Sequence, residues 1–153
     1  MSWVNTWEGV VEKDWLDKLD HVNFLTYQRI ADLASIEIWR RARGSGQSEP
    51  DLQFVMTETY VRYARELRLG AHVEIRTSLI ASDTKRFHLL HRLESAGDLV
   101  CMVETLNLCF DPAVRRVAPF TANISSYFSS WGSPPDDALP HLSICSRPSR
   151  NRP

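Results

Sequence analysis

The alternation of apolar and polar residues in the middle of the chain predicts four β-strands. Apolar side chains occupy alternate positions in residues 52–67, 72–82 and 86–95, and residues 99–110 are apolar more continuously. Period-two alternation is typical of a strand with one buried face. The connecting segments RLGA, ASDTKR and SAGD are short and rich in turn residues, which favours antiparallel hairpins. A further short strand is predicted near the N-terminus, over residues 6–13.

A helical periodicity covers residues 23–43. Its polar residues form one narrow stripe: Arg29, Asp32, Glu37 and Arg40. Apolar residues cover most of the remaining surface, so we expect a helix that is largely surrounded by protein. Asn23 is a natural N-cap, and the segment GSGQSEPD ends the helix. The order strand, long helix, four strands predicts an α+β fold with one helix against one antiparallel sheet.

The C-terminal part of the chain has a different composition. Residues 119–132, PFTANISSYFSSWG, predict one short helix. Residues 133–153 are rich in proline, serine and charged residues and have no patterned apolar face. We therefore expect one domain over residues 1–132 and a loosely held or disordered tail over residues 133–153.

Length and charge narrow the class of protein. A chain of 153 residues fits one domain, and 18 basic against 19 acidic residues give a net charge of -1. Such a balance provides no general attraction to nucleic acid or to membranes, and no apolar run approaches the ~20 residues that a membrane span needs. The N-terminus has no basic start followed by an apolar stretch, so we expect no signal peptide.

The three cysteines are Cys101, Cys109 and Cys145. Cys101 and Cys109 fall in one predicted strand, roughly 26 Å apart at a rise of ~3.3 Å per residue, which is too far for a disulfide. An odd number of cysteines without an evident pair favours a reducing compartment, and we expect a cytoplasmic protein.

Candidate chemistry is concentrated at the start of the predicted helix, in LDKLDHVNFLTY. Asp17 is either a solvated acid that favours the helix dipole or a catalytic carboxylate. His21 can orient the loop, contact a substrate or be buried. The first backbone N–H groups of the helix, around Phe24, lack partners within the helix and can bind developing negative charge.

Other residues that resemble ligand sets are weaker candidates. His88 and His91 in HLLH would share a face of a helix, but in a strand they point to opposite faces, which argues against a metal site. The segment GSGQS has neither the spacing nor the preceding strand of a nucleophile elbow. No phosphate loop, dinucleotide fingerprint or zinc spacing is present, so we predict no metal and no cofactor.

The order of elements and the helix-start residues together resemble the hot-dog fold acyl-CoA thioesterases, specifically the 4-hydroxybenzoyl-CoA thioesterase-like group. The resemblance covers residues 7–120 approximately and rests on these residues: Asp17, the pair Asp20 and His21, Asn23, Tyr27 and Gly70. It implies a five-stranded antiparallel sheet wrapped around one long central helix. Asp20 departs from the family, which commonly has glycine there; a glycine permits a positive φ, and Asp tolerates that geometry better than most residues.

The resemblance also implies an activity, namely hydrolysis of an acyl-CoA thioester to a free acid and coenzyme A. Asp17 would be the nucleophile or general base, the Phe24 backbone N–H an oxyanion donor, and His21 a further candidate site residue. We expect Lys85 and Arg86, at a turn between strands, to contact the coenzyme A phosphates. We also expect a homodimer or homotetramer, because hot-dog proteins pair their sheets.

A narrower resemblance suggests the acyl group. The segments TETYVRYAREL, DTKRFHLLHRL and VETLNLCFD are similar to the betainyl-CoA thioesterases of carnitine breakdown, which implies a small polar acyl group. A quaternary ammonium binds well over aromatic faces, and Trp7, Trp15 and Trp39 are the candidates. Two alternatives remain: a hot-dog acyl-thioester dehydratase or hydratase, which would need a paired histidine and acid, and a non-catalytic acyl-CoA binding protein, of which Asp20 is the hint.

Overall fold

The computed structural model describes residues 2–45 and 51–144. Its centre is one antiparallel sheet of six strands in the order β1-β3-β4-β5-β2, with the short β6 paired to β5. The strands are β1 Val4–Val10, β2 Gln53–Tyr63, β3 His72–Ser82, β4 Arg86–Ser95, β5 Asp98–Asp111 and β6 Arg116–Val117. The edges of the sheet are therefore β1 and β2.

Two α-helices of the described part of the chain accompany the sheet. α1, Phe24–Arg43, contacts all five long strands, and α2, Ala122–Ser129, packs on α1 and β3. The expectation of five strands around one central helix therefore needs correction to six strands and two helices. The additional strand forms because the chain folds back on the end of β5, and α2 begins where the Thr121 side chain accepts the Ile124 N–H.

The predicted strand bounds are accurate where turn residues end the alternation of apolar and polar positions. β3 and β4 span the expected residues, whereas β1 begins and ends earlier than expected. β2 ends at Tyr63 rather than near Leu67, because Ala64 and Arg65 both donate their N–H groups to Val100 O and the chain then turns inward. Leu67 is buried, and its N–H binds the Tyr27 hydroxyl.

The space between α1 and the sheet is filled by two apolar clusters. The cluster near the start of α1 includes Trp15, Tyr27 and Ile30, and the one near its end is aromatic, with Trp39 stacked on Phe87. One face of α1 is thus buried, as its apolar residues predict. The other face is not covered within a single chain, since these apolar residues are at least two-fifths exposed: Phe24, Leu25, Leu33 and Ile36.

The outer face of the sheet is covered by residues 133–144, which corrects the expectation of a loosely held tail from residue 133 onward. Ala138 is fully buried against the apolar outer cluster, and Asp137 accepts hydrogen bonds from Trp3 Nε1 and Arg92 Nη1, each at 3.1 Å. The reason is that the outer face carries Leu90 and Met102, which an uncovered sheet would expose to water. Residues 145–153 of the predicted tail, with Cys145, lie outside the described residues.

The two described cysteines are buried and form no disulfide, which confirms the expectation for Cys101 and Cys109. Burial raises the pKa of the Cys101 thiol to about 12 and that of the Cys109 thiol to about 11. Neither is a thiolate nucleophile at neutral pH. Among the described residues, no helix is both long enough and apolar enough to cross a lipid bilayer.

Candidate active site

A tight turn positions Asp17 directly before α1. The Asp17 N–H donates to His21 O at 2.8 Å, and the Asp20 N–H donates to Asp17 O at 3.1 Å. The carboxylate oxygen Oδ1 accepts the N–H groups of Leu19 at 2.8 Å and His21 at 3.2 Å. Within the described residues Oδ2 has no hydrogen-bond partner, and the side chain is exposed. Asp17 is thus held in place through one oxygen while the other faces solvent.

Asp20 adopts the left-handed backbone geometry that a glycine would favour. Its φ is 60°, in a region that non-glycine residues rarely occupy but that aspartate tolerates. The substitution of Asp for the usual Gly is therefore compatible with the turn, and Asp17 keeps its backbone contacts.

The start of α1 leaves one backbone donor free. Asn23 is the N-cap, as predicted: its Oδ1 accepts the Leu25 N–H at 2.9 Å, and its carbonyl accepts the Thr26 N–H at 2.9 Å. The Tyr63 hydroxyl donates to Phe24 O at 2.9 Å, so the first peptide of the helix is held on both sides. No acceptor for the Phe24 N–H is found in residues 2–45 or 51–144. This N–H carries the partial positive charge of the helix start.

These groups meet in an open cavity of about 370 Å³ between the start of α1 and the end of β2. Its lining includes the three candidates that the sequence predicts together, Asp17, His21 and Phe24. A carboxylate with a free oxygen and an unpaired N–H at the positive end of a helix can attack or hydrate a carbonyl and stabilise the resulting oxyanion.

An acid that the sequence analysis missed also lines this cavity. Glu66 Oε2 lies 2.9 Å from His21 Nε2, and Glu66 Oε1 binds Arg68 at 2.7 Å. Both His21 and Glu66 remain about two-fifths exposed, so the pair is open to solvent and to ligands. The pairing joins residues 45 positions apart, and no local pattern in the sequence indicates it.

Two tyrosines connect the helix start to the end of β2. The Tyr27 hydroxyl accepts the Leu67 N–H at 3.2 Å, and the rings of Tyr27 and Tyr63 meet edge to face at 5.3 Å. Burial raises the pKa of Tyr27, although the hydrogen bond from Leu67 acts in the opposite direction. The Tyr27 hydroxyl is therefore neutral, and it holds the backbone at Leu67. Tyr63 was not singled out by the sequence, because its partner is the backbone of a distant helix.

Lys85 and Arg86 are not brought to this cavity within one chain. They lie on the β3–β4 turn, at the opposite end of β3 from its start at His72, and an eleven-residue strand is ~33 Å long. Asp83 organises this turn by accepting both backbone N–H groups and by binding Arg86 Nε at 2.6 Å. The Lys85 ammonium has no ion-pair partner in the described part of the chain.

The two histidines of HLLH lie on opposite faces of β4, which confirms the strand interpretation. His91 lies on the inner face, where its ring nitrogens contact the hydroxyls of Ser35 at 2.8 Å and Thr77 at 2.7 Å. Complete burial lowers the pKa of His91 to about 3, so the ring is neutral. His88 lies on the outer face, 2.8 Å from Glu104.

Glu104 is a buried carboxylate with every oxygen in use. Oε1 accepts from Ile144 N–H at 2.9 Å and contacts His88, and Oε2 accepts from Ser143 N–H at 2.7 Å. Burial favours the neutral form, but the hydrogen bonds from His88 and the two backbone groups outweigh it and hold the pKa of Glu104 below its ordinary value. The pair attaches residues 143 and 144 to the sheet.

None of the three tryptophans considered for cation binding is among the residues that line the cavity. Trp15 is buried, with the Arg29 guanidinium 5.7 Å from its ring and Trp7 at 6.1 Å. Trp39 is stacked on Phe87 at 5.5 Å in the core. The aromatic residues at the cavity are instead Phe24, Tyr27 and Tyr63.

Comparison with known proteins places the chain in a family. The model of the Thioesterase-like superfamily matches residues 11–128. The Betainyl-CoA thioesterase of Pseudomonas aeruginosa is 27% identical in an alignment 127 residues long, which covers 79% of this chain and 79% of that protein.

Solved structures share the fold. A Staphylococcus aureus protein in complex with CoA is 19% identical, with a TM-score of 0.74 over 97% of this chain and 92% of that one. A 1,4-dihydroxy-2-naphthoyl-CoA thioesterase from Synechocystis is 15% identical, with a TM-score of 0.71 over 87% of this chain and 100% of that one. The hot-dog thioesterase fold predicted from the sequence is thereby confirmed.

Proposed function

The chain belongs to the Thioesterase-like superfamily, and we propose that it hydrolyses an acyl-CoA thioester at the start of helix α1. The activity class is thioester hydrolysis. The observation that carries the proposed site is that the free Asp17 oxygen and the unpaired Phe24 N–H share one cavity.

Thioester hydrolysis needs few protein groups beyond the Asp17 carboxylate and the Phe24 N–H. Coenzyme A leaves as a thiolate, and because a thiol has a pKa of ~8.5 it needs no strong general acid. Asp17 acts as the nucleophile or as the base for a water molecule, and both roles use its solvent-facing oxygen. The Phe24 N–H donates to the carbonyl oxygen as it gains negative charge. Tyr63 and Asn23 act as positioning residues by holding the adjacent Phe24–Leu25 peptide.

The acyl group that we propose is small and polar, with betainyl as the leading candidate. Its support is the similarity to the Pseudomonas aeruginosa betainyl-CoA thioesterase. The cavity adds a physical argument, because its lining includes two aromatic residues, Phe24 and Tyr63, and two acidic residues, Asp17 and Glu66. Aromatic faces and carboxylates both attract a quaternary ammonium, at ~0.5–2 kcal/mol for each cation–π contact.

We further propose a homodimer formed through the two β2 edges. β2 is an eleven-residue edge strand on which Met56 and Tyr60 are 49% and 42% exposed, and Ile36 of the uncovered face of α1 lines one cavity with Gln53 of β2. Exposed apolar edges are usually paired or covered. Two copies related by a two-fold axis would pair antiparallel.

This dimer gives Lys85 and Arg86 a role. Antiparallel pairing of β2 reverses the partner's sheet end for end, so the partner's β3–β4 turn comes to the end of the double sheet that carries Asp17. We propose that Lys85, whose ammonium is not neutralised by a described acid, meets a coenzyme A phosphate there. Lys85→Gln should then raise KM several-fold at unchanged kcat. The buried free thiols fit a cytoplasmic location, which we also propose.

One observation favours a second candidate function. The pair His21 and Glu66, 2.9 Å apart in the same cavity, is the histidine and acid that a hot-dog dehydratase or hydratase would use. Against it stands Asp17, which has a free carboxylate oxygen and lines the same cavity as Phe24. The third candidate, a non-catalytic acyl-CoA binding protein, loses its motivation because Asp20 is compatible with the turn.

A substrate panel separates these candidates. Thiol release would be measured with betainyl-CoA, with its uncharged isostere 3,3-dimethylbutanoyl-CoA, and with longer acyl-CoAs. We expect betainyl-CoA to exceed the isostere in kcat/KM by ~10-fold or more, since 1.4 kcal/mol is a factor of ten. Equal turnover of the isostere would contradict the betainyl proposal and leave thioester hydrolysis standing. Hydration of crotonyl-CoA without thiol release would favour the hydratase instead.

A further inference from the structure

Three side chains converge on the outer face of the sheet near the β1 edge, and none of them lines the Asp17 cavity. They are Glu8, His72 and Glu74, and all three are exposed. Glu8 lies directly opposite Glu74 in the pairing of β1 with β3. His72 precedes Glu74 by two residues, and alternation along the strand places both on the same face. The register of the sheet thus fixes the backbone positions of the three residues.

The charge of this group is unbalanced. In the described ranges, 2–45 and 51–144, no arginine or lysine forms an ion pair with Glu8 or Glu74. The nearest guanidinium groups on this face, Arg76 and Arg92, both bind Glu94 instead. Like charges directly opposite each other in a ladder are destabilising. A cation held between the two carboxylates would remove that repulsion.

The distances fit a coordination sphere better than a hydrogen-bonded cluster. His72 Nε2 lies 3.6 Å from Glu8 Oε2, and Nδ1 lies 3.9 Å from Glu74 Oε1. One ligand atom from each residue lies within 4.8 Å of the other two. Two ligands of a tetrahedral Zn²⁺, each at ~2.1 Å, are ~3.4 Å apart. Because His72 binds an ion through one ring nitrogen, the carboxylate that lies beside the other nitrogen must turn toward the ion, which its exposed side chain allows.

We propose that Glu8, His72 and Glu74 bind a divalent transition-metal ion, for which Zn²⁺ is the reference. One imidazole nitrogen and two carboxylate oxygens form a ligand set that Zn²⁺ accepts, and solvent fills the remaining position. The structure leaves room for it, because cavities of about 230 and 460 Å³ flank the group and Glu74 lines both. The bound ion joins β1 to β3 at the sheet edge.

Calorimetric titration of the full chain with zinc chloride tests the site. The wild type should bind one Zn²⁺ at a saturable site, and His72→Ala and Glu74→Gln should each weaken this binding by at least ~10-fold, since even the loss of an outer contact costs 10- to 100-fold. Glu12→Gln removes an exposed carboxylate outside the group and is the matched control, with unchanged affinity expected. Circular dichroism would verify that each variant is folded.

Thermal unfolding supplies an independent readout. A ligand that binds only the folded state raises Tm as its concentration increases, so Zn²⁺ should raise the Tm of the wild type and of Glu12→Gln but not that of His72→Ala. The absence of saturable binding by the wild type would overturn the proposal. Binding that His72→Ala and Glu74→Gln leave unchanged would overturn it as well, because the ion would then be held elsewhere.

Discussion

Asp17 and Glu104 are carboxylates that both accept two backbone N–H groups, but they lie in opposite surroundings. Asp17 stands in an exposed turn, uses only Oδ1 for its two hydrogen bonds and leaves Oδ2 to solvent. Glu104 is 1% exposed, lies beneath residues 143 and 144, and has both oxygens occupied. The same group therefore serves two purposes: where every oxygen is satisfied it stabilises packing, and where one is free it can react.

The backbone donors and the histidines of the two regions differ in the same way. At the helix start the Phe24 N–H has no acceptor among the described residues, and His21 is partly exposed beside Glu66. Inside the sheet, His91 is fully buried between two hydroxyls. The helix start thus keeps an unpaired backbone donor and a partly exposed histidine, which a reaction can use, whereas the His91 ring is enclosed.

The largest effect is expected from Asp17→Asn. Asparagine keeps an oxygen for the Leu19 and His21 N–H groups, so the turn should survive, but it is neither a nucleophile nor a base. We expect kcat to fall by at least ~100-fold with little change in Tm. Thiol release and thermal unfolding measure the two quantities. A folded variant with near wild-type turnover would remove Asp17 from the mechanism.

The substitution Phe24→Pro tests the backbone N–H of Phe24, because its control, Phe24→Ala, lacks the same ring but keeps the N–H. Phe24 is the first helical residue, where proline is well tolerated, and Asn23 before it has a ψ of 133°, which suits a following proline. Phe24→Pro should lower kcat by ~100-fold, the loss typical of one oxyanion donor. Phe24→Ala keeps the N–H and is the matched control. Equal activity of the two variants would mean that this N–H has no catalytic role.

Glu104→Ala should have the opposite profile. It leaves the Ser143 and Ile144 N–H groups and His88 without their buried acceptor, and we expect a loss of ~2 kcal/mol in the free energy of unfolding. The midpoint of urea unfolding should fall at unchanged slope, while kcat measured below the transition stays at the wild-type value. Glu12→Ala, on the exposed surface, is the control. A comparable loss of activity in folded Glu104→Ala would break the distinction between the two regions.

The smallest expected effect is the dependence of stability on pH through His91. Its pKa is about 3 in the folded protein and ~6.5 when unfolded, so between these values the unfolded chain binds the additional proton and stability falls as pH falls. Between pH 6.5 and 5.5 this amounts to ~1 kcal/mol. His91→Gln, although less stable overall, should lose this part of the slope. Parallel pH profiles of the two proteins would exclude His91 as the cause.

The sequence predicts most of the fold because the apolar alternation and the turn residues indicate the same strands. In β3 and β4 the alternation ends at turn residues, and both strands have the predicted bounds. β2 ends early for a reason that no local pattern carries, namely the bonds of Ala64 and Arg65 to Val100 in another strand. Residues 133–144 were misjudged because Ala138 and Leu142 are isolated apolar residues without periodicity, and only the finished sheet offers them a surface.

The residues of the candidate site likewise fall into those that local sequence predicts and those that it does not. Asp17, His21 and Phe24 lie within eight residues of one another, so the helix start that brings them together can be recognised from the sequence. Glu66 and Tyr63 reach the same cavity from the end of β2, through contacts 45 and 39 residues apart. Such contacts depend on the tertiary fold and leave no local signature.

The most direct test of the central claim is the reaction of the purified protein with betainyl-CoA and other acyl-CoAs in ¹⁸O-labelled water, with thiol release and the mass of the acid measured together. Thioester hydrolysis at Asp17 predicts release of coenzyme A in equal amount to an acid that carries the label in its carboxylate, and no such release by Asp17→Asn. Intact thioester throughout the panel, or label added to the acyl chain of a crotonyl thioester that retains coenzyme A, would contradict it.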